Sequence, residues 1–445
     1  MSKSKVVKRV ANWGNFPQSE STVSEFHNPN DVSEYLSEHS SMILRGAGLS
    51  YGDASLSKEI LSSQKFNRIL DFDTQNGVIT AECGTTLDDV LKVIVPKGWF
   101  LPVTPGTKFI TVGGAVAGDI HGKNHHSEGS FCKYVTKLTV MMSNGETQVC
   151  DRDTSPILFN TICGGLGLSA IILSVQFRLK SIETSYIRQR NIVVGNLEEM
   201  LDKLHDFGAS TYSVSWIDCL ARGKRLGRGV IMLGEHANAE EIEKASKLIT
   251  HRQPRFNVPF FFPSFLLNST SVRAFNYLVF NKYKLSAKQS IVHYDPYFYP
   301  LDFVRNWNKL YGRRGFLQYQ FVIPFEGASK GLRMILNEIS KSGLASFLAV
   351  LKELGEGEST LSFPMKGFTL ALDFPVADKI FPFLDKLDKM VVDLGGRIYL
   401  VKDARMAPEI YRKGYPNADI FRENVLRFDP EHKFTSLLSQ RLEMI

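Results

Sequence analysis

The sequence predicts an α+β protein assembled from more than one block. Three observations carry this. The chain has 445 residues, more than one ordinary core accommodates. Before Glu183 it alternates short apolar runs with helical stretches, punctuated by three glycine-rich runs. After Glu183 come longer amphipathic segments and strands with polar positions facing inward, and the last stretch, "APEIYRKGYPNADIFRENVLRFDPEHKF", reads as helices and loops.

Taken in order, "SMILRG" (41–46) is a buried strand followed by Gly46 and Gly48. "ILDFD" and "VITAECG" form a strand pair. In "TTLDDVLKVIVPKG", Leu87, Val90, Leu91 and Ile94 share one helical face. Thr85 with Asp88 resembles a capping box, and Pro96 with Gly98 ends the segment. Asn144-Gly145 in "VTKLTVMMSNGETQVC" gives a type I′ hairpin signal. "LSAIILSVQFRLK" is a further strand. Beyond Glu183, "LEEMLDKLHDF" and "AEEIEKASKLI" read as amphipathic helices, and "FLQYQFVIP" and "FTLALDFP" as strands. No internal repeat or low-complexity tract is present.

A hydrophobic fraction of 43% and a charged fraction of 22% are those of a folded chain. The five cysteines are odd in number and form no C-x-x-C, which points to reduced thiols. The basic N-terminus lacks a following apolar run, and no run of apolar residues is long enough to span a membrane. The expected location is therefore cytoplasmic, or peripheral to a membrane.

"RGAGLSYGD" (45–53), "PGTKFITVGGAVAG" (105–118) and "CGGLGLSA" (163–170) each invite a phosphate-binding reading. Glycine lets the backbone approach a ligand, and successive N–H groups cradle anionic oxygen. Ordinary turns are the alternative for any single run. The Rossmann pattern fails, because Tyr51 occupies its third glycine position, and no P-loop is present. "DIHGKNHHSEGSF" (119–131) packs three histidines together, as a metal site, a catalytic base or a plain polar loop. No cysteine or carboxylate at ligand spacing completes a metal set, so no metal is expected.

Together "RGAGLSYGD", "PGTKFITVGGAVAGDIHGKNHHSEGSF" and "CGGLGLSAIIL" resemble the flavin-binding domain of the p-cresol methylhydroxylase/vanillyl-alcohol oxidase superfamily. With "GFLQYQFVIP", "LSFPMKGFTLALDFP", "GGRIYLVKDAR" and "QRLEMI", the chain resembles the decaprenylphosphoryl-β-D-ribose 2′-oxidases over nearly its whole length. The resemblance implies a two-part FAD-binding domain, residues 1–183 and 397–445, around an α+β substrate domain, residues 184–396. It implies oxidation of the ribose 2′-hydroxyl of a polyprenyl-phosphoryl sugar to the 2′-keto sugar. A partner short-chain reductase then yields the arabinose form, the building block of cell-wall or cell-surface arabinan. Competing readings are an oxidase of free sugars, alditols or aldonolactones, and a non-catalytic membrane-peripheral protein on a decayed flavin scaffold.

The same resemblance assigns residues. FAD contacts are Arg45, Gly46, Ala47, Gly48, Leu49, Ser50 and Tyr51; Pro105, Gly106, Thr107, Val112, Gly113, Gly114, Ala117 and Gly118; His121, Gly122, Asn124 and His125; Gly167 and Ile171; and Tyr399 and Lys402. Lys402 would stabilise the reduced flavin and touch substrate. In "RIYLV", period two would put it with Leu400, opposite Tyr399 and Val401. His121 can exchange a proton near neutral pH. Tyr51 is either the family's flavin-proximal tyrosine or a core residue. Lys123 is a pocket or phosphate contact, and Lys352 is a contact for the substrate phosphate or a surface lysine. Gln318 and Gln320 face one side of a strand, and Trp216 is either a pocket wall or core. Leu49 stands where many superfamily members link FAD to histidine, so FAD should be non-covalent. Ala371 stands where some relatives carry a cysteine facing the flavin, so no thiol there serves the chemistry.

Between His251 and Ser290 there is no Asp or Glu, yet Arg252, Arg255, Arg273, Lys282, Lys284, Lys288 and "VPFFFPSFLLN" are present. Phenylalanines around prolines suit a lipid surface better than stacking on bases. The segment is expected to contact a membrane rather than nucleic acid, the alternative being an insertion packed on the core.

Overall fold

In the computed structural model, the residues described are 6–243, 247–250, 256–263, 267–286, 288–344 and 346–445. Among the described residues, two larger sheets and the short pair Trp99–Phe100 with Lys180–Ser181 lie before Glu183. The first orders Val6–Ala11, Gln18–Glu25, Glu59–Ser62 and Ile43–Arg45, with the last three strands parallel. The second is antiparallel and orders Ile69–Asp73, Val78–Glu82, Ile171–Arg178, Val135–Met141 and Thr147–Cys150. The eight-stranded sheet draws only on later residues. Its order is Gln289–His293, Tyr186–Val194, Gly229–His236, Tyr212–Ile217, Ala349–Leu354, Gly367–Pro375, Phe316–Pro324 and Arg397–Ile398, with every pairing antiparallel.

Helix Leu87–Ile94 buries the four apolar positions that its spacing puts on one face. Each such side chain, once buried, contributes about 1.5–3 kcal/mol. Its cap lies one residue later than Thr85 and Asp88. Thr86 accepts the Asp89 N–H at 3.1 Å and donates to Asp89 at 2.6 Å. Thr85 is withdrawn because its hydroxyl donates to the Arg68 carbonyl at 3.2 Å.

The Asn144-Gly145 hairpin forms, but not through a type I′ turn. Of its turn residues only Gly145 has positive φ, 84°, and its N–H donates to the Met142 carbonyl at 2.9 Å. This is a three-residue loop ending in a left-handed glycine. "LEEMLDKLHDF" forms helix Leu197–Asp206 as expected. "AEEIEKASKLI" does not behave so. Its described residues make one 3-10 turn, Ala239–Glu241, and residues 244–246 lie outside the described set. Ser185 explains the departure. It donates its N–H to the Lys247 carbonyl at 2.8 Å and accepts the Ile249 N–H at 3.2 Å, so the backbone there is extended toward a strand end.

The C-terminal stretch returns to the first block. Phe434 bridges Met42 and joins the same core as Phe26, Leu91 and Phe177. Arg441 reaches Asp53 at 2.9 Å and Asp403 at 2.8 Å. A second core surrounds the eight-stranded sheet and takes in Tyr411, Phe421, Leu438 and Leu442. Among the described residues, no helix is long and apolar enough to cross a membrane.

Candidate active site

A cavity of about 1000 Å³ is walled by all three glycine-rich runs and by the eight-stranded sheet. The first run contributes Gly46, Ala47, Gly48, Leu49, Ser50 and Tyr51. Gly48 has φ of 67°, and a Cβ there would collide with the Arg45 guanidinium. Only glycine lets the chain turn so tightly over that arginine. Arg45 itself stands behind the loop. It is hydrogen-bonded to Asn12 and to the Ala11 carbonyl at 2.8 Å, and lines a smaller adjoining cavity. The second run contributes Pro105, Gly106, Thr107, Gly113, Gly114, Ala117 and Gly118, and the third contributes Gly167. Gly113 donates its N–H to the Cys83 carbonyl at 2.8 Å, which presses helix Val112–Ala117 against the end of a strand.

Opposite these loops, strand Phe316–Pro324 presents Gln318 and Gln320 to the cavity. The Gln320 amide bridges His121 Nε2 at 3.1 Å and the Thr369 hydroxyl at 3.2 Å. Burial, then the charge on Lys352, holds the His121 imidazole well below its usual pKa, so it is neutral. Its Nδ1 is buried without a hydrogen-bond partner. Its ring packs against Tyr399, centroids 5.1 Å apart, and Tyr399 stacks on Phe363 at 4.3 Å.

Three lysines line the same cavity. Lys123 donates to the Tyr297 carbonyl and sits 4.1 Å from that ring's centroid. Lys352 Nζ lies 3.5 Å from the Gly122 carbonyl. Lys402 Nζ sits 3.9 Å above the Tyr51 ring. Burial lowers Lys123 to about 7, Lys352 to about 8 and Lys402 to about 7. The alternation expected along "RIYLV" does not hold. The strand ends at Ile398 and a turn follows, with the Lys402 N–H on the Tyr399 carbonyl at 3.0 Å. Tyr399, Val401 and Lys402 therefore all face the cavity, while Leu400 is in the core.

Several expected contacts lie elsewhere. Val112 is buried in the first core. Ile171 is too, and its neighbours Ala170 and Ile172 take the wall. Asn124 braces the loop through the Pro102 carbonyl at 2.8 Å. His125 is tied to Ser130 at 3.1 Å and to the Gly355 N–H at 3.0 Å. Trp216 and Ala371 line the cavity. So do Phe275, Val279 and Tyr283 of helix Ser269–Leu285, an apolar wall at helical spacing. Sequence reading missed Thr369 and Asp373. Both sit on strand Gly367–Pro375, and their cross-strand partners are set by register, which no local pattern encodes.

Residues 23–151 match the model of an FAD-binding domain family. The chain is 32% identical to the decaprenylphosphoryl-β-D-ribose oxidase of Mycolicibacterium smegmatis, over 98% of each protein. The chain belongs to the decaprenylphosphoryl-β-D-ribose oxidase family. An uncharacterised protein of Streptomyces coelicolor is 31% identical over 80% of this chain and 99% of its own length. A D-lactate dehydrogenase of Anaerostipes hadrus is 30% identical over 33% of this chain. This member of the oxidase family is thus an FAD-dependent oxidoreductase. Its residues suit that cofactor. Backbone of Gly46, Gly48, Gly113 and Gly114 lines the cavity together with the buried amino groups of Lys123, Lys352 and Lys402, none of which has a carboxylate in ion-pair contact among the described residues. An anionic dinucleotide complements both.

Proposed function

We propose that this oxidase converts the ribose 2′-hydroxyl of a polyprenyl-phosphoryl-β-D-ribose to the 2′-keto sugar. The observation that carries the reading is the meeting of three buried lysines, a neutral imidazole and two strand amides in one cavity with an apolar helical wall. FAD, held by the glycine-rich loops without a covalent link at Leu49, supplies the two-electron acceptor. Gln318 and Gln320 orient sugar hydroxyls. His121 is the group placed to take the hydroxyl proton, its Nε2 giving up the Gln320 amide to do so. The Lys402 ammonium meets the negative charge that develops at the reacting end. Lys123 and Lys352 hold the phosphodiester. Tyr51 carries the Lys402 cation on its ring face.

Helix Ser269–Leu285 gives the polyprenyl chain its path. Phe275, Val279 and Tyr283 line the cavity, with Phe275 also reaching solvent, and Tyr277, Leu278 and Leu285 are exposed. Phe256, Phe260 and Phe261 are exposed nearby in sequence; Arg252, Arg255 and Phe265 lie outside the described residues. We read this as the membrane-facing side, with Arg273, Lys282 and Lys284 meeting anionic headgroups. The return of Phe434 and Arg441 to the first block supports a flavin domain in two parts, 1–183 and 397–445, around residues 184–396. A separate short-chain reductase completes the epimerisation toward arabinan.

Anaerobic mixing with decaprenylphosphoryl-ribose bleaches the flavin if the reading is right. Equal turnover of free pentose defeats the lipid-linked substrate, and a purified protein that takes up no FAD defeats the enzyme reading. Lys402→Ala keeps FAD and loses flavin reduction; unchanged reduction removes Lys402 from the chemistry.

A further inference from the structure

Lys108 follows Thr107 in the second glycine-rich run, and it is only 3% exposed. Backbone bonds seat this run on helix Leu87–Ile94. The Leu87 N–H donates to the Ile110 carbonyl at 3.0 Å, and the Asp88 N–H to the Lys108 carbonyl at 2.8 Å. The Lys108 side chain reaches further. Its ammonium lies 3.2 Å from Asp88 of that helix and 2.5 Å from Asp295 of the short helix Tyr294–Phe298, which belongs to the later block. Asp295 is itself buried. The Lys108 backbone N–H adds another tie across the same gap, to the Asp302 carboxylate at 3.0 Å. Charges taken this far out of water are tolerable only when they meet each other.

Segment Tyr294–Asp302 carries that anchor into the cavity, which Tyr297, Phe298 and Asp302 line. The Tyr299 N–H closes the segment on the Asp295 carbonyl at 2.8 Å, and the Tyr299 and Thr104 hydroxyls are 2.6 Å apart. Thr104 packs so closely on Gly122 that a Cβ there would lie 2.9 Å from the Thr104 carbonyl oxygen. The Gly122 carbonyl in turn meets Lys352 Nζ, and the Tyr297 carbonyl and ring hold the Lys123 ammonium. Both lysines therefore take their places from one segment, and the Lys108–Asp295 pair fastens that segment to the cofactor run. We propose that Lys108 and Asp295 are positioning residues for recognition of the substrate phosphate, their buried ion pair placing Lys123 and Lys352 relative to the glycine-rich cradle. This rests on the reading of those two lysines as phosphate contacts given above. Hydrogen bonds to phosphate weaken steeply when donors are misplaced. Apolar contact with the polyprenyl tail, which comes from helix Ser269–Leu285, is non-directional and does not depend on this placement.

The test uses FAD-loaded enzyme and two probes, farnesyl phosphate and farnesol, with dissociation constants measured by calorimetry. Lys108→Met is combined with Asp295→Asn so that neither member of the pair is left charged alone, and Asp88 keeps Lys92 at 2.7 Å. This variant is expected to bind farnesyl phosphate roughly tenfold more weakly, the worth of about one charge-assisted hydrogen bond, while its farnesol affinity and FAD content hold. In a background of Lys123→Met with Lys352→Met the pair substitution adds nothing, because it acts through those lysines. Equal weakening of both probes, or an undiminished further loss in the background lacking the lysines, overturns the inference and leaves the ion pair a tie of the fold alone. Unchanged farnesyl phosphate binding in the pair variant, with binding lost when the lysines are replaced, overturns it as well. If replacing the lysines does not weaken farnesyl phosphate, the reading of Lys123 and Lys352 falls instead. Should the pair variant not fold, Tyr299→Phe is expected to weaken farnesyl phosphate by a smaller factor and spare farnesol, and no change there overturns the inference.

Discussion

Lys123, Lys352 and Lys402 share a physical problem that a ligand resolves. Burial pulls their pKa values to about 7, 8 and 7. In the unfolded chain a lysine keeps its proton to about 10.4. Between about pH 7 and that value the unfolded chain binds more protons, so the ligand-free fold gains stability as pH rises through this window. An anion on the lysines reverses the shift and draws protons in. Binding of a polyprenyl phosphate is therefore expected to take up protons near about pH 8, and to weaken as pH rises further. Calorimetry in buffers of different ionisation enthalpy measures the uptake; zero uptake with flat affinity excludes these lysines from phosphate recognition. His121 behaves differently, because its depressed pKa leaves it neutral throughout this range.

At the scale of elements, local patterns were legible where the physics is local. The helical spacing of Leu87, Val90, Leu91 and Ile94, and the strands "ILDFD", "VITAECG", "FLQYQFVIP" and "FTLALDFP", all formed as expected. Part of what failed depended on partners distant in sequence, and part on local turns whose type the pattern did not fix. Ser185 draws out residues 247–249, the turn after Ile398 swings Lys402 beside Tyr399, and Gln318 finds Asp373 only through register. The loop carrying Gly48 is sensitive to a single added carbon. Gly48→Ala meets a positive-φ penalty of about 1–2 kcal/mol and the Arg45 guanidinium at once. The expected outcome is a folded protein with markedly lower FAD content, measured by flavin absorbance per chain; full occupancy would mean that the loop does not cradle the dinucleotide. The outward positions of helix Ser269–Leu285 make a separate prediction. Replacing Tyr277, Leu278 and Leu285 together by serine is expected to abolish sedimentation with anionic vesicles while leaving turnover of a detergent-dispersed substrate intact. Retained sedimentation would assign the membrane contact elsewhere.

At the scale of the whole molecule, the cavity is assembled from both ends of the chain. Arg441 is the tie. Its guanidinium joins Asp53, two residues beyond Tyr51, to Asp403, the neighbour of Lys402. It also donates to the Met406 carbonyl at 2.6 Å. Both carboxylates are buried, and burial raises Asp53 above its ordinary pKa even with Arg441 in place. Removing one partner of a buried ion pair costs about 3–5 kcal/mol, because the remaining charge has no water to receive it. Arg441→Met is therefore expected to lower stability by about that amount. The loss should be partly recovered by saturating FAD, since a ligand bound only to the folded state shifts the equilibrium by mass action. The same substitution loosens both the Tyr51 and the Lys402 sides of the cavity, so FAD affinity should fall together with the melting temperature. Thermal melts across an FAD titration measure the two effects at once. A variant with lowered stability but unchanged FAD affinity would show that the C-terminal tie holds the fold together without shaping the cofactor's end of the cavity.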